Sequence, residues 1–362
     1  MKIVVTGTRG IPDIQGGVET HCEELYPRLV NLGCEILLIR RSCYVLDNPM
    51  ESYRGIVLKD IYAPRQKGVE AFIHTFFAVF YAKKAKADIL HIHAIGPSIM
   101  TPLARMLGLK VVVTHHGQDY NRQKWGKIAK MVLKTGERLS AKYANELIVI
   151  SEEINSSIKQ KYSRLDANLI YNGVNIPVKS KDTTYIQSLG LTPQKYIFAL
   201  GRFVEEKGFH GLIEAFKKLN DKGYRLVIAG EADHAGLYSE NLKQLAEDAG
   251  VVLTGFIKGE KLNELFSNAE LFVLPSFHEG LPISLLEAMS YDIDVLVSDI
   301  PANLEVNLPR DYYFKCGDWD DLAVKIEEKL SQSEHVKYDL SRYNWDNIAE
   351  QTMETYKRVL YK

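Results

Sequence analysis

The chain has 362 residues, of which 46% are hydrophobic and 25% are charged; this excludes a disordered or fibrous protein and is typical of a globular enzyme with about two domains. The net charge is −1, yet residues 1–180 carry 25 Lys and Arg against 16 Asp and Glu, whereas residues 181–362 carry 20 against 30. No nucleic-acid partner is predicted, although a positive first half can orient a protein on an anionic surface.

Neither export nor disulfide chemistry is indicated by the sequence. It begins with MKIVVTG, which reads as a core strand rather than as an export signal. Cys22, Cys34, Cys43 and Cys316 have neither the CxxC spacing nor the histidine-rich neighbourhood of a metal site, and they suggest no disulfide framework. We therefore expect a protein of the reducing cytoplasm.

The first half alternates short β-branched runs with segments of helical length. This alternation predicts parallel strands joined by crossover helices, at Ile3–Val5, Ile36–Ile39, Ile89–Ile92, Val111–Thr114 and Leu147–Ile150. The most apolar run, AFIHTFFAVFYA at 71–82, is too short to cross a bilayer and is predicted to be a buried helix.

The alternation stops over residues 172–195, which are rich in Gly, Pro, Ser and Thr and predict a linker. It resumes with strands predicted at Tyr196–Leu200, Leu226–Ala229, Val251–Leu253, Leu271–Leu274 and Val295–Ser298. The chain ends in an amphipathic helix whose apolar residues include Trp345, Ile348 and Tyr356. The fold class is therefore α/β, with two doubly wound domains whose ligands bind at the carboxyl ends of the strands.

A long glycine-bearing loop, residues 6–25, joins the first strand to the first helix. Gly16 and Gly17 stand directly before that helix, where backbone N–H groups can contact an anion or a hydroxyl group. The loop matches neither a Walker A motif nor the dinucleotide fingerprint GxGxxG. Arg40 and Arg41 end the second strand where an NAD site requires an acid, which disfavours NAD and leaves NADP open.

Histidines follow two strands of the first half. His115, His116 and Asp119 come after the strand at 111–114, where one histidine can position a sugar hydroxyl or a phosphate. His91 and His93 have no apparent third ligand, and a histidine at a strand end is more often hydrogen-bonded structure. We expect no metal.

Residues 121–142 are strongly basic, with Glu137 as their one acid. Trp125, Ile128, Val132 and Leu139 are interleaved with the cations, which is typical of a helix at an anionic membrane surface. A solvated face over an ordinary core stripe explains the pattern as well. The cations are Arg122, Lys124, Lys127, Lys130, Lys134, Arg138 and Lys142.

In the second half, the strand at 196–200 runs into Gly201-Arg202, and a helix opens near Lys207-Gly208. Two cations at the carboxyl end of a strand suit a diphosphate. The alternative is that both pair with Glu205 and Glu206 on a solvated turn, the usual fate of such a charge run.

Two glutamates follow the strand at 271–274. Glu279 lies in an EGLP loop, where Gly280 lets backbone N–H groups approach a ligand before a helix. Glu287 lies within that helix between apolar side chains, and an unpaired buried carboxylate there costs several kcal/mol. Ribose hydroxyls or a structural Arg or Lys can supply its donors.

Asp292 and Asp294 resemble a DxD metal motif but are interpreted as part of a turn.

Gly201-Arg202 with Lys207-Gly208, the loop Glu279–Pro282 and Glu287 together resemble the retaining GT-B glycosyltransferases of family 4. The segment TGTRGIPDIQGGVET is similar to a bacterial subgroup that includes rhamnosyltransferases of polysaccharide assembly. The resemblance implies two Rossmann-like domains facing across a cleft. An acceptor domain is expected at 1–178 with the C-terminal helix 344–362 crossing back to it, and a nucleotide-sugar domain at 179–343.

The resemblance also implies roles for individual residues. Arg202 and Lys207 would hold the donor diphosphate, Glu287 the ribose, and Glu279 with the Gly280 and Leu281 amides the sugar. The remaining donor-side positions are Gly201, Pro282, Gly16, Gly17 and His116, with His115 and Asp119 on the acceptor side. The sequence leaves open which histidine faces the donor.

The predicted activity is transfer of a hexosyl or deoxyhexosyl group to a glycan or lipid-linked acceptor, without cofactor or metal. The expected location is the cytoplasm, on the inner face of the plasma membrane if the basic segment binds lipid. An NADP-dependent oxidoreductase, a nucleotide-sugar epimerase of the same fold and a non-catalytic sensor are the alternatives. The oxidoreductase leaves Glu279 and Glu287 without a role.

Overall fold

The structure is a computed structural model that describes residues 1–46, 49–66, 69–121, 126–219, 223–233, 236–332 and 336–361. The chain divides into two compact units. The N-terminal unit comprises Met1–Gly173 and Tyr343–Lys362, and the C-terminal unit comprises Val174–Arg342.

The N-terminal unit is built on an eight-stranded sheet in the order β3-β4-β2-β1-β5-β6-β7-β8. Its pairs are parallel except β3 with β4. The strands are β1 Lys2–Thr6, β2 Glu35–Arg41, β3 Ser52–Tyr53, β4 Ile56–Ile61, β5 Ile89–His93, β6 Lys110–His115, β7 Glu146–Val149 and β8 Asn168–Leu169. The helices are α1 Gly17–Asn31, α2 Glu70–Lys84, α3 Thr101–Met106, α4 Lys127–Tyr143 and α5 Glu152–Tyr162.

The C-terminal unit has a six-stranded parallel sheet in the order β11-β10-β9-β12-β13-β14. Its strands are β9 Tyr196–Leu200, β10 Arg225–Ala229, β11 Val252–Gly255, β12 Leu271–Leu274, β13 Asp294–Ser298 and β14 Tyr313–Phe314. Its helices are α6 Thr184–Ser188, α7 Phe209–Lys217, α8 Leu237–Asp248, α9 Gly259–Asn268, α10 Ile283–Ser290, α11 Pro301–Leu304 and α12 Trp319–Ser331. The prediction of two doubly wound α/β domains is confirmed.

The last helix, α13 Trp345–Tyr361, returns to the N-terminal unit, as predicted. Its apolar stripe packs in the same core cluster as α1, with Ile348 and Tyr356 beside Leu25 and Tyr26. The four side chains are each no more than 1% exposed. Burial of this stripe is what the helical spacing of the C-terminal apolar residues requires.

The prediction that 71–82 forms a buried helix is half right. The segment lies in α2, and Ala78, Val79 and Ala82 on one face are fully buried. Four phenylalanines are 39–47% exposed, because the sheet covers only one face of the helix; they are Phe72, Phe76, Phe77 and Phe80. Within the described ranges, no helix is both long and apolar enough to span a bilayer.

Candidate functional site

The loop after β9 is the centre of the candidate site because β9 lies between β10 and β12 in the sheet. On one side, the backbone N–H of Phe203 donates to the carbonyl of Glu231, in the loop after β10. On the other side, the N–H of Phe277 donates to the carbonyl of Glu206 over 2.8 Å. These bonds tie the loops after three adjacent strands to one another.

Lys207 and Glu279 form a short ion pair at this edge. The Lys207 Nζ donates to Glu279 Oε1 over 2.6 Å, and the Ser276 hydroxyl donates to the same oxygen over 2.6 Å. The side chains of Lys207 and Glu279 are 15% and 11% exposed, respectively. Burial by itself raises the pKa of Glu279, but the Lys207 charge and the two hydrogen bonds lower that pKa below 4.5 overall. The alternative in which Lys207 pairs within its own turn is wrong.

This shift predicts how stability depends on pH. Because the folded pKa of Glu279 lies below its ordinary 4.5, the ionised carboxylate stabilises the fold above that pH, and the contribution is lost as the pH falls through the folded pKa. The difference in Tm between the wild type and Glu279→Gln should therefore be largest above pH 4.5 and shrink on further acidification. Scanning calorimetry checks this, with exposed Glu354→Gln as control; a difference that grows in acid would contradict it.

Gly208 allows the two loops to approach each other. Its φ is +67°, a region that favours glycine, and a Cβ at this position would lie 2.1 Å from the carbonyl oxygen of Pro275. Pro275 directly follows β12 and precedes Ser276 and Glu279. Gly208 therefore sets the spacing between the cation-bearing loop and the Glu279 loop.

Arg202 is paired on the opposite side of the β9 loop. Its Nη1 donates to Asp233 Oδ2 over 2.7 Å, and the two side chains are 15% and 18% exposed. Sequence reasoning missed Asp233, although its position just after β10 places it at the same carboxyl edge. The sheet order thus places the predicted cations beside carboxylates from two flanking loops.

The Glu279 loop leads directly into α10. Leu281 is 4% exposed, and Pro282 is the N-cap residue of the helix. The first N–H groups of an α-helix have no partner within the helix, so they are available to an anion or a hydroxyl group. Gly280 is half-buried directly before them.

Glu287 differs from the prediction because its side chain is half-buried rather than buried. It lies on α10, and its charge, after burial, helps raise the pKa of Tyr291 to about 12. A partly solvated carboxylate carries a smaller desolvation cost than a buried one, so an internal partner is not obligatory.

In the N-terminal unit, Gly16 is the N-cap of α1 with a φ of +150°. A Cβ there would lie 2.1 Å from Oε2 of Glu19, which is 4% exposed. The other oxygen of Glu19 accepts hydrogen bonds from the Thr8 hydroxyl and the Arg9 N–H, each over 3.0 Å. Glu19 thereby shapes the glycine loop from inside, and Gly17 is exposed at its tip.

The structure distinguishes His115 from His116. His115 is fully buried, and its Nε2 lies 2.9 Å from Oε1 of Glu137 on α4. Glu137 also accepts hydrogen bonds from Tyr120 and Tyr162, so His115 belongs to a buried structural network. His116 is half-buried, which leaves it as the accessible member of the pair. Asp119 is half-buried in a 3₁₀ turn at Asp119–Asn121.

His116 lies in a group of histidines. The rings of His21, His93 and His116 have pairwise centroid distances of 4.9 to 5.6 Å. Burial lowers the pKa of His21 to about 4, against the opposing hydrogen bond with Asn172. Burial also lowers the pKa of His93 and of His116 well below 6.5, so the group is neutral at physiological pH. His91 is hydrogen-bonded at both ring nitrogens, to Tyr356 and Thr114.

Arg40 and Arg41, the two residues that left an NADP site open in the sequence, are buried in the N-terminal unit. Arg40 is fully buried and makes a bidentate contact with Asp60 at 2.6 and 2.9 Å. Arg41 is 7% exposed and pairs with Glu70 at 3.0 Å. Both guanidinium groups are used in the core, so neither is presented to a ribose phosphate.

The interpretation of residues 292–294 as a turn is confirmed for Asp292 but not for Asp294, which already belongs to a strand. Asp292 has a φ of +54°, and Asp294 begins β13. Asp292 pairs with Lys179 at 3.0 Å, whereas Asp294 pairs with Lys329 at 3.2 Å.

The basic segment forms α4 from Lys127 onward, and Arg122, Lys124 and Trp125 lie outside the described residues. The buried side of α4 is formed by Leu133, Gly136, Glu137, Ser140 and Ala141. Ile128 and Met131 are 76% and 62% exposed. A surface depression of about 490 Å³ lies along α4 and is lined by Lys127, Lys130, Met131, Lys134, Thr135, Arg138 and Tyr162.

Comparison with known proteins gives one family match for each unit. Residues 181–345 match the family described as Glycosyl transferases group 1, and residues 15–177 match Glycosyltransferase Family 4. An uncharacterized glycosyltransferase, MJ1607, of Methanocaldococcus jannaschii is 25% identical over 99% of this chain and 98% of its own. The O-antigen chain mannosyltransferase RfbU of Salmonella typhimurium is 26% identical over 62% of each chain.

Solved structures share the fold. Sucrose-phosphate synthase from Thermosynechococcus elongatus superposes with a TM-score of 0.84 at 19% identity, covering 99% of both chains. Anabaena Alr3699/HepE in complex with UDP-glucose gives a TM-score of 0.78 at 18% identity, covering 99% of this chain and 100% of its own. These likenesses establish the fold, two Rossmann-like α/β domains as in GT-B proteins.

Proposed function

We propose that the chain transfers a sugar from a nucleoside-diphosphate donor to a glycan or lipid-linked acceptor with retention of anomeric configuration. The premise is its family membership: it is a glycosyltransferase of the group 1 family with an N-terminal domain of Glycosyltransferase Family 4. The observation that carries this proposal is the carboxyl edge of β9. There, Arg202 and Lys207 are held between the loops of β10 and β12 by Asp233 and Glu279.

The donor diphosphate is bound by Arg202 and Lys207. The diphosphate of a nucleotide sugar carries one negative charge on each phosphoryl group and several acceptor oxygens, so it can displace or share the carboxylate contacts of the two cations. Glu287, half-buried on α10, binds the ribose hydroxyls. Gly201, Gly16 and Gly17 have no side chain, so the backbone at these positions can come close to the donor.

The transferred sugar lies against the start of α10. Glu279 accepts from its hydroxyl groups, the Gly280 and Leu281 N–H groups donate to it, and Pro282 begins the helix whose N-terminus faces the departing charge. His116 contacts the sugar as the accessible histidine, whereas His115 and Asp119 support the acceptor side. No metal or other cofactor takes part in this transfer.

The reaction depends on positioning and charge stabilisation rather than on a strong protein base. The acceptor hydroxyl attacks from the face that the diphosphate leaves, and the departing diphosphate oxygen takes the proton of that hydroxyl. The bond from the anomeric carbon to the diphosphate breaks as the bond to the acceptor oxygen forms. Arg202 and Lys207 stabilise the negative charge that develops on the leaving group.

We place the reaction in bacterial surface polysaccharide assembly, in the cytoplasm, with rhamnose as the first sugar to test. The likeness to RfbU, an O-antigen chain mannosyltransferase, supports the pathway class. The structure of HepE with UDP-glucose supports a nucleotide-sugar donor. The glycine-loop sequence at 6–20 is the reason for testing rhamnose before other hexoses.

A donor screen tests the proposal. Calorimetric titration with UDP, GDP, dTDP and NADPH identifies the nucleotide that binds, and each matching sugar nucleotide is then incubated with and without a polyprenyl-diphosphate glycan acceptor. Nucleoside diphosphate released only with acceptor, together with a product whose anomeric configuration by NMR equals that of the donor, is the expected result. Turnover without acceptor would indicate an epimerase, and binding of NADPH alone would overturn the proposal.

We also propose that α4 binds the anionic membrane surface that carries a lipid-linked acceptor. Its cations line one depression, while Ile128 and Met131 are exposed beside them. Each basic residue near such a surface contributes about 1 kcal/mol, so Lys127→Gln with Lys134→Gln should weaken vesicle binding about 30-fold.

Co-sedimentation with vesicles containing phosphatidylserine, at low and at high salt, measures this effect. The matched control is Lys218→Gln with Lys315→Gln, two exposed lysines of the C-terminal unit. Equal loss in both double variants, or no binding of the wild type at low salt, would contradict the proposal.

A further inference from the structure

Three histidines of the N-terminal unit direct ring nitrogens toward one another from different elements. His21 lies on α1, His93 ends β5, and His116 follows β6. One nitrogen from each ring lies within 4.8 Å of the nitrogens of the other two. His21 and His93 are 2% and 0% exposed, whereas half-buried His116 connects the group to the surface.

The hydrogen bonds of His21 fix its tautomer. Its Nδ1 lies 3.0 Å from Oδ1 of Asn172, and an amide oxygen can only accept, so Nδ1 carries the hydrogen. The lone pair is then on Nε2, which is buried and has no hydrogen-bond partner among the described residues. An unsatisfied polar atom in the interior is costly and calls for an explanation.

His93 is oriented by a second hydrogen bond. Its Nε2 lies 2.5 Å from the hydroxyl of Tyr26, while Nδ1 is turned to Nε2 of His116 at 2.8 Å. Asn172 and Tyr26 therefore hold the far side of two rings and turn the near nitrogens inward. This is how outer-shell groups orient histidine ligands in metal sites.

We propose that His21, His93 and His116 bind one divalent transition-metal ion, of which Zn²⁺ is the best match. Imidazole nitrogen is a favoured zinc ligand, and three histidines with an open fourth position are an established zinc coordination. Zinc bonds of 2.0–2.1 Å place tetrahedral nitrogens about 3.3 Å apart. The present separations are at most 4.8 Å, so reaching that spacing changes no nitrogen–nitrogen distance by more than about 1.5 Å.

The ion is not a cofactor for sugar transfer. It occupies the ring nitrogen of His116, the residue assigned above to the donor sugar. Zinc and the donor therefore compete for His116. That consequence rests on the proposed function, whereas the binding of metal does not. The site is thus suited to inhibition by free zinc.

The test uses untagged, chelator-treated full-length protein and Co²⁺ as a spectroscopic substitute for Zn²⁺. We expect one Co²⁺ per chain, an intense visible d–d spectrum typical of four-coordinate geometry, and its loss on addition of one equivalent of Zn²⁺. His21→Ala should abolish the spectrum. Asn172→Ala, which removes no ligand, should weaken affinity about 10–100-fold.

The matched control is His210→Ala, which removes a half-buried histidine from the C-terminal unit. It should bind Co²⁺ as the wild type does, and circular dichroism verifies that each variant is folded. Absence of a four-coordinate spectrum in the wild type, or its persistence in folded His21→Ala, would overturn the proposal. Because this readout needs no turnover, a failed donor screen and a failed metal site are separate outcomes.

Discussion

Arg202→Ala is expected to lower kcat for sugar transfer about 10²–10³-fold, a loss of about 2.7–4 kcal/mol of transition-state stabilisation. The reason is that the guanidinium, fixed after β9 by Asp233 at 2.7 Å, is positioned before the diphosphate departs. A preorganised charge does not have to reorganise during the reaction, so its removal affects the transition state more than the ground state.

The fold should tolerate this substitution. Both members of the pair are partly exposed, at 15% and 18%, so water can solvate Asp233 when Arg202 is absent. A pair of this kind contributes about 1 kcal/mol or less, which corresponds to a decrease in Tm of no more than about 2–4 °C. Single-turnover kinetics and calorimetry measure the two effects separately.

Arg225→Ala is the matched control for Arg202→Ala. Arg225 is an exposed arginine at the amino end of β10, on the edge of the sheet away from the candidate site. Its removal should leave kcat within about twofold of the wild type, as expected for a surface substitution. Wild-type turnover by folded Arg202→Ala would remove Arg202 from the mechanism.

The central strands of both sheets could be predicted from sequence because they are buried on both faces. Continuous apolar runs such as Tyr196–Leu200 and Leu271–Leu274 coincide with β9 and β12. Of the edge strands, β11 was predicted at Val251–Leu253, whereas β3, β8 and β14 were not, and β4, next to the edge, was also missed. β3, β8 and β14 have two residues each, too few for any periodicity, whereas β4 carries an alternating pattern of buried Ile56 and Leu58 with exposed Val57 that could have been recognised.

The site was only partly predictable, since sequence order does not reveal which loops become neighbours. Position after a strand identified Lys207 and Glu279, but only the sheet order shows that β9 and β12 are adjacent and that the two side chains pair. Asp233 lay at the right position and was missed. His21 gave no signal, because its partners His93 and Asn172 are distant in sequence.

Burial of single side chains was the least predictable feature. The apolar run of α2 was expected to be buried, yet its phenylalanines are exposed. For α4 the sequence left open a membrane-facing helix or a core stripe, and the structure buries Leu133, Gly136 and Ala141. Close helix packing explains this in α4: a Cβ at Gly136 would lie 2.0 Å from the carbonyl oxygen of Ile95. Ile128 and Met131 are exposed, and the proposed membrane contact of α4 uses these two side chains.

Gly208→Ala is expected to lower kcat about 10²-fold although it changes no residue assigned to the ligand. Alanine at a φ of +67° costs about 1–2 kcal/mol in backbone energy. Its methyl group would also lie 2.1 Å from the Pro275 carbonyl oxygen, so the loops bearing Lys207 and Glu279 must separate. A displacement of about 1 Å in a catalytic arrangement can reduce the rate about 10²-fold.

Gly190→Ala separates the steric effect from the backbone effect. Gly190 has a φ of +70°, but a Cβ there would meet no heavy atom of the described part of the chain within 4 Å. Both variants should therefore lose stability through backbone strain, measured as a fall in Tm, while only Gly208→Ala loses kcat. If the two variants were equally active, the spacing between the β9 and β12 loops would not govern transfer, and the Lys207–Glu279 pair would be a structural contact rather than part of the donor site.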